Sequence, residues 1–339
     1  MREAGPAARS ATAYLNLETG DCHGEAAGVK ALVQAGVARV VVGLRHPLPH
    51  LRGVAVGDLR AAGLEVDVLG DIAFSSSSSS SGGGSGSSSS SGGAGSSIQA
   101  FGGAGEGLQG AALDACLRVN EALLHRAVTG KPLGVLKYAM TADGKIATAA
   151  GHSAWVSSPE SRAMVFSTRA RSDAVIVGGQ TVRRDNPRLT TRRQGGHQPA
   201  RVVMSRTLDL PEDASLWDVA HAPTVVMTQR GARREFQRRL RARGVEVVEF
   251  DFLTPAGVAA HCYERGFLQL LWECGGTLAA PAIAGGVVHK TLVFVAPKLV
   301  RGAGWRRALF VGLLFGLRGW ARGWVVTWCP GIQQEGASH

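Results

Sequence analysis

The residues with the clearest chemical potential in this 339-residue chain sit where a strand-like run meets a glycine pair. Trp272-Glu273-Cys274-Gly275-Gly276-Thr277-Leu278-Ala279-Ala280 reads as strand, turn and helix start. Glycines at a helix start let backbone N–H groups approach a phosphate, and the helix dipole adds partial positive charge there. A tight turn without a ligand fits the same residues. A second pair, Gly178-Gly179, also follows a strand-like run and precedes Gln180-Thr181-Val182. Two such turns in one domain favour a dinucleotide diphosphate. Downstream, Asp185-Asn186-Pro187 leads into Leu189-Thr190-Thr191-Arg192. Pro187 breaks any helix there. Asp185 can cap or orient a ligand and Arg192 can pair with a phosphate, or the segment is a surface turn. Lys137 stands among apolar residues in a strand-like run, where a lysine either snorkels or points into a pocket as an anion or proton partner. Asp143-Gly144-Lys145 beside it reads as a tight turn.

Glu18, Asp21, Cys22 and His23 lie close together, which invites a metal reading. A closed zinc site needs paired Cys and His ligands at set spacings. One Cys with one adjacent His does not supply them, and no metal is expected. The other cysteines (Cys116, Cys262, Cys274, Cys329) are scattered, and their odd total of five speaks against a disulfide framework.

These residues need elements to hold them. Residues 11–73 alternate strand-like and helical runs, which predicts a small α/β unit with a parallel sheet. Residues 75–107 are Ser/Gly low complexity and are expected to form a flexible linker. Residues 108–130 read as helical. From 131 to about 304 a second α/β domain follows, with strands at PLGVLKYAM, DAVIVGG, ARVVMS, PTVVMT, VEVVEF, LQLLWECGG and KTLVFVAPKLV. The expected domains are therefore 1–74, the 75–107 linker, 108–304, and a tail at 305–339. The tail holds four of the seven tryptophans and no strand alternation.

Hydrophobic residues make up 45% of the chain, which excludes a wholly disordered protein. The formal charge of +11 is nearly all arginine, concentrated in 229–243 and 301–322. A solvated helix face accounts for it. With no aromatic-rich binding module beside the charge, nucleic acid is not an expected partner. Ala308–Leu317 is about half a bilayer span, so no transmembrane helix is expected, and residues 1–12 lack the apolar core of a signal peptide.

Four segments occur in one order: LKYAMTADGKIATAAGHSAWVSS, RARSDAVIVGGQTVRRDNPRLTTR, WECGGTLAAPAI and APKLV. Together they resemble the reductase domain of the bifunctional riboflavin-biosynthesis deaminase-reductase family over about residues 115–304. The resemblance implies a dihydrofolate-reductase-like α/β fold, NADPH as cofactor, and a phosphorylated pyrimidine as substrate. The reaction implied is reduction of the ribosyl group of 5-amino-6-(5-phosphoribosylamino)uracil to a ribityl chain. By position within the motifs it implies cofactor contacts at Ala139, Trp155, Thr181, Asp185, Gly275, Gly276, Thr277, Leu278, Ala279, Ala280 and Pro281. It implies substrate contacts at Ser153, Arg169, Leu189, Arg192 and Glu273. Arg169 and Arg192 would suit a 5′-phosphate, since guanidinium forks match phosphate oxygens. Arg206 falls beside the expected adenosine, where it could pair with a 2′-phosphate. Lys137 and Asp185 are the candidates for proton supply and orientation. A homodimer is also implied, with a plastid location for a plant or algal relative and a cytoplasmic one otherwise.

Residues 11–73 resemble the second half of the same family's cytidine-deaminase-like domain. The family has Leu-Glu-Pro-Cys and a further Cys about nine residues on, both zinc ligands. Here Leu17-Glu18-Thr19-Gly20 and Gly28 stand at those places, and the family's upstream His-Ala-Glu motif does not occur. Zinc deamination needs the metal-bound hydroxide and that glutamate, so deaminase activity is not expected. The pattern resembles the plant-type reductase with a degenerate, truncated deaminase domain. The alternative, a non-catalytic homologue or binding protein, rests on the unmatched tail.

Overall fold

Apolar runs alternating with helices give the chain two units, Met1–Gly130 and Lys131–His339. The structure, a computed structural model, describes residues 5–20, 26–70, 108–147, 158–192 and 196–296, together with the backbone of 324–328. The 75–107 tract, Ser153 and Trp155 lie outside the described residues.

In the first unit, β1 (Thr12–Leu15), α1 (Ala27–Gln34), β2 (Arg39–Leu44), α2 (Val54–Ala61) and β3 (Glu65–Gly70) alternate. The strands pair in parallel in the order β1-β2-β3. Val40 and Val42 of the central strand pack with Val29 and Leu32 of α1 and with Val56 and Leu59 of α2. Two further helices follow, α3 (Leu108–Val119) and α4 (Glu121–Thr129). Their Leu113 and Leu124 cluster with Leu44 of β2. Residues 108–130 thus belong with the first sheet, where they cover Leu44, and not with the second domain as the order of motifs suggested.

Glu18 is only 1% exposed. Its carboxylate accepts hydrogen bonds from the backbone N–H groups of His46 (2.9 Å), Gly53 (2.8 Å) and Val56 (3.1 Å). Gly53 opens α2 with φ 80° and no side-chain cap. Glu18 therefore serves as a remote cap, an anion placed at the positive end of a helix. Glu18→Ala leaves three amides without their acceptor and is expected to cost the first unit at least about 3 kcal/mol. Urea unfolding checks this, and a loss under about 1 kcal/mol would show that water replaces the carboxylate.

The two glycines at the expected zinc-ligand places are closed. A Cβ built on Gly20 would lie 2.6 Å from His46 Cδ2, and one on Gly28 would lie 3.0 Å from Thr19 Cβ. The His46 ring fills the space beside Gly20, and burial pushes its pKa down. Cys22 and His23 lie outside the described residues.

The second unit runs β4 (Leu133–Thr141), α5 (Pro159–Ala170), β5 (Ala174–Gly178), α6 (Gly179–Asp185), β6 (Ala200–Met204) and β7 (Thr224–Gln229). It continues with α7 (Arg234–Ala242), β8 (Glu246–Phe250), α8 (Pro255–Glu264), β9 (Gln269–Trp272), α9 (Gly276–Ala284), β10 (Lys290–Ala296) and β11 (Trp324–Trp328). All neighbours pair in parallel in the order β11-β10-β4-β9-β5-β6-β7-β8. Leu136, Ile176, Val202, Met227 and Trp272 are almost fully buried in its core, each worth roughly 1.5–3 kcal/mol on burial. The tail, expected to lack strand alternation, contributes β11, with Thr291 opposite Trp324. Trp-Val-Val-Thr-Trp is a short apolar run of the kind that enters a parallel sheet without alternation. No helix among the described residues is long and apolar enough to cross a membrane.

Candidate active site

The chain winds outward from β4 through β5 to β8, then returns to insert β9 between β4 and β5. At such a reversal the carboxyl ends of parallel strands bound a crevice. Just past β9, Glu273 N–H donates to the Ile176 carbonyl of β5 (3.0 Å). Gly275 then opens α9 without a side-chain cap. A Cβ on Gly275 or Gly276 would meet nothing within 4 Å. The backbone at this helix start therefore faces open space, where an anion can approach its unpaired amides.

The second glycine turn adjoins the first: a Cβ on Gly178 would contact Leu278 at 3.4 Å. Gly179 is tighter, with Leu210 and Ser205 3.1–3.2 Å from a built Cβ, and it begins the short helix α6. Thr181 is half-buried on α6, and Ala139 is half-buried on β4 opposite Phe294. Thr277, Ala280 and Pro281 are exposed and Leu278 is half-buried, whereas Ala279 is 1% exposed in the core. Ala279 N–H is spent on Gly275 O (3.0 Å), so the structure does not offer Ala279 to a ligand. Burial pushes the Cys274 thiol up to about 12, which keeps it protonated and unreactive.

Charged groups converge beside this turn. Arg169 near the end of α5 donates from Nε to Glu273 Oε1 (2.6 Å) and from Nη2 to Glu273 Oε2 (2.8 Å). Its Nη1 donates to Thr190 O (3.0 Å). The two side chains are 13% and 11% exposed, so this is a bidentate pair largely shielded from water. Lys137 of β4 lies in the same field. Burial pushes its ammonium below the usual lysine range, while Glu273 raises it and Arg169 lowers it. Lys137 Nζ also stands 5.7 Å from the centre of the Phe294 ring. Phe166, one turn before Arg169 on α5, has Arg169 over its ring at 5.6 Å and Arg192 at 4.8 Å.

Arg169, Glu273, Lys137 and Arg192 thus gather in one region. Leu189 is 3% exposed and contributes packing beneath the loop, with its side chain turned from solvent. Asp185 ends α6 and is exposed. Desolvation raises its carboxyl above the usual range, opposed by Arg184. Among the described residues no hydrogen bond joins Asp185 to Lys137. Arg206 is exposed just past the carboxyl end of β6. Lys145 Nζ pairs with Asp143 Oδ2 (2.5 Å), and Lys145 and Thr141 together hold the Asp143 carboxyl at about 2. Phe166 and the Thr190 carbonyl escaped the sequence reading. The signal for Phe166 was its i, i+3 spacing to Arg169 on a helix.

The family described as RibD C-terminal domain matches residues 132–318. The riboflavin biosynthesis protein PYRR, chloroplastic, of Zea mays is 54% identical over 301 residues, covering 89% of this chain and 43% of that protein. Its Arabidopsis thaliana namesake is 53% identical over 307 residues, covering 89% and 45%. The chain therefore spans less than half the length of these plant relatives. The riboflavin biosynthesis protein RibD of Synechocystis is 42% identical over 301 residues, covering 88% and 71%. Among solved structures, Acinetobacter baumannii RibD, form 1, superimposes with a TM-score of 0.68 at 28% identity, over 91% of this chain and 75% of that one.

Proposed function

Because this chain belongs to the RibD C-terminal domain family, we propose that it is an NADPH-dependent reductase. Its proposed reaction converts the ribosyl group of 5-amino-6-(5-phosphoribosylamino)uracil into the ribityl chain. The observation that carries this reading is the Arg169–Glu273 pair beside Lys137, next to the open Gly275-Gly276 turn. The turn suits a diphosphate, since its glycines leave the space that a Cβ would take and the helix start supplies N–H donors.

NADPH, when bound there, supplies the hydride that adds to C1′ of the open-chain sugar imine or aldehyde. The protein's own residues manage position and proton. Reduction places one new proton on the imine nitrogen or aldehyde oxygen. Lys137, its ammonium made more acidic by burial, is the group assigned to donate it. Glu273 balances that charge and is itself held at both oxygens by Arg169. With Arg169 committed to Glu273 and Thr190, the substrate phosphate falls to Arg192, which is exposed above Phe166. Asp185 keeps an orienting role at the end of α6.

Incubation of the purified chain with NADPH and the phosphoribosylaminouracil is expected to consume the near-ultraviolet absorbance of the reduced nicotinamide. A folded chain that consumes none overturns the reading. Arg192→Ala is expected to weaken substrate by about ten- to a hundredfold while leaving NADPH affinity unchanged, the size of a lost charge-assisted contact. Equal losses for both ligands would reject its assignment. The chloroplastic designation of the two plant relatives supports a plastid setting for this chain. The family resemblance supports a homodimer, which sedimentation equilibrium tests.

A further inference from the structure

The loop that carries Arg192 is strained. Asn186, Leu189 and Arg192 have φ values of 36°, 52° and 54°. Side chains other than glycine crowd the backbone in this region, so such a loop persists only where its surroundings over-determine it. Four clamps do so. Asn186 Oδ1 accepts from Ser215 N–H (2.7 Å). Arg201, 1% exposed on β6, donates to Arg188 O (3.4 Å), and also to Asp218 O (2.6 Å) and Ala222 O (2.8 Å). Arg169 Nη1 donates to Thr190 O (3.0 Å). Finally, Thr191 N–H donates to Gln198 Oε1 (2.9 Å), while Gln198 Nε2 donates to Thr191 Oγ1 (2.7 Å).

The first three clamps hold the loop up to Thr190. Of the four, Gln198 is the clamp on Thr191, the residue bonded to Arg192, and it holds that 1% exposed residue at two points, the backbone N–H and the side-chain hydroxyl. That grip holds the Thr190–Thr191 peptide plane, whose carbonyl Arg169 also binds, and adds a hold on the Thr191 side chain, one residue before the left-handed Arg192 whose guanidinium lies over Phe166 at 4.8 Å. We propose that Gln198 is a positioning residue. It acts through Thr191 to preset Arg192 for the anionic group of the substrate. This rests on the reading that Arg192 binds the substrate phosphate.

Gln198→Met removes both hydrogen bonds and nearly keeps the side-chain volume. It is expected to raise KM for the phosphorylated substrate about tenfold, with kcat and KM for NADPH within about twofold, the pattern of lost binding without lost chemistry. The KM of the dephosphorylated substrate should not move. In an Arg192→Ala background the same substitution should add nothing, because the residue it positions is gone. A merely structural role predicts weakening of both substrates alike and a further loss in the double variant, and either result overturns the proposal. If Arg192→Ala leaves the phosphorylated substrate unaffected, the underlying assignment fails. If Arg192→Ala weakens it and Gln198→Met does not, the clamp alone fails. Should Gln198→Met not fold, Thr191→Val removes one of the two points and is expected to raise the same KM about threefold; an unchanged KM there overturns the proposal equally.

Discussion

Glu273→Ala is expected to destabilise the second unit by about 3–5 kcal/mol, the range for breaking a buried ion pair from one side. The substitution leaves Arg169, 13% exposed, without its carboxylate. It also strips Lys137 of the one neighbour that favours its charged form. The two cations, whose charges already oppose each other, then lack the carboxylate that offset them. Activity should fall by at least about a hundredfold, the scale of a displaced general acid. Glu273→Gln separates the two effects, since the amide keeps an acceptor for Arg169 but carries no charge. With Glu273 neutral, the Lys137 ammonium loses what raised it, so its folded-state pKa moves further down. The protonated form needed as acid then disappears at lower pH, and the alkaline limb of the activity profile shifts toward acid. Urea unfolding and a pH–rate profile check both parts. An unchanged midpoint together with an unchanged limb would remove Glu273 from the site.

The second large effect is expected at Gly134. A Cβ there would overlap the Val287 carbonyl oxygen and come within 3.3 Å of Trp272 Nε1. The glycine is also bonded on both sides to one residue: its N–H donates to His289 Nδ1 (2.9 Å), and its carbonyl accepts from His289 N–H (2.8 Å). A strand glycine of this kind marks the close approach of another backbone. Gly134→Ala must push β4 from the segment that leads into β10, and backbone cannot turn aside as a side chain can. The expected cost is about 3 kcal/mol, or roughly 6–12 °C in Tm for a domain of this size. Differential scanning calorimetry decides it, and a shift under about 2 °C would mean that the strands separate freely.

Much of the second unit was legible because local rules govern it. Ser158-Pro159-Glu160 announces α5, and Ser158 indeed caps it by accepting from Ser161 N–H. The valine-rich runs of β5, β6 and β7 are buried as such runs must be. α8 was not read. Its apolar residues are small, and Val258, Ala259 and Cys262 give only a faint helical stripe. β11 was missed because the reading looked for alternation. The site divides in the same way. Motif resemblance singled out Arg169 and Glu273, but both were assigned to substrate. Their bond to each other spans 104 positions of sequence, and no local pattern carries it. Arg192 was marked by its type, whereas the Gln198 clamp depends on how the chain returns into β6.

The placement of β4 also sets the order in which the second unit can be assembled. β4 is flanked by β9 and β10, with Leu133 opposite Gln269 and Lys290 opposite Val135. On a ribosome adding about 5–20 residues per second, the roughly 130 residues between β4 and β9 take on the order of ten seconds to appear. During that interval β4 and β5 still lack their shared neighbour, and an apolar strand edge is open to other chains. Contacts this distant in sequence also slow closure once the chain is complete. The strand that holds Lys137 is thus among the first of the sheet to be synthesised and among the last to be enclosed.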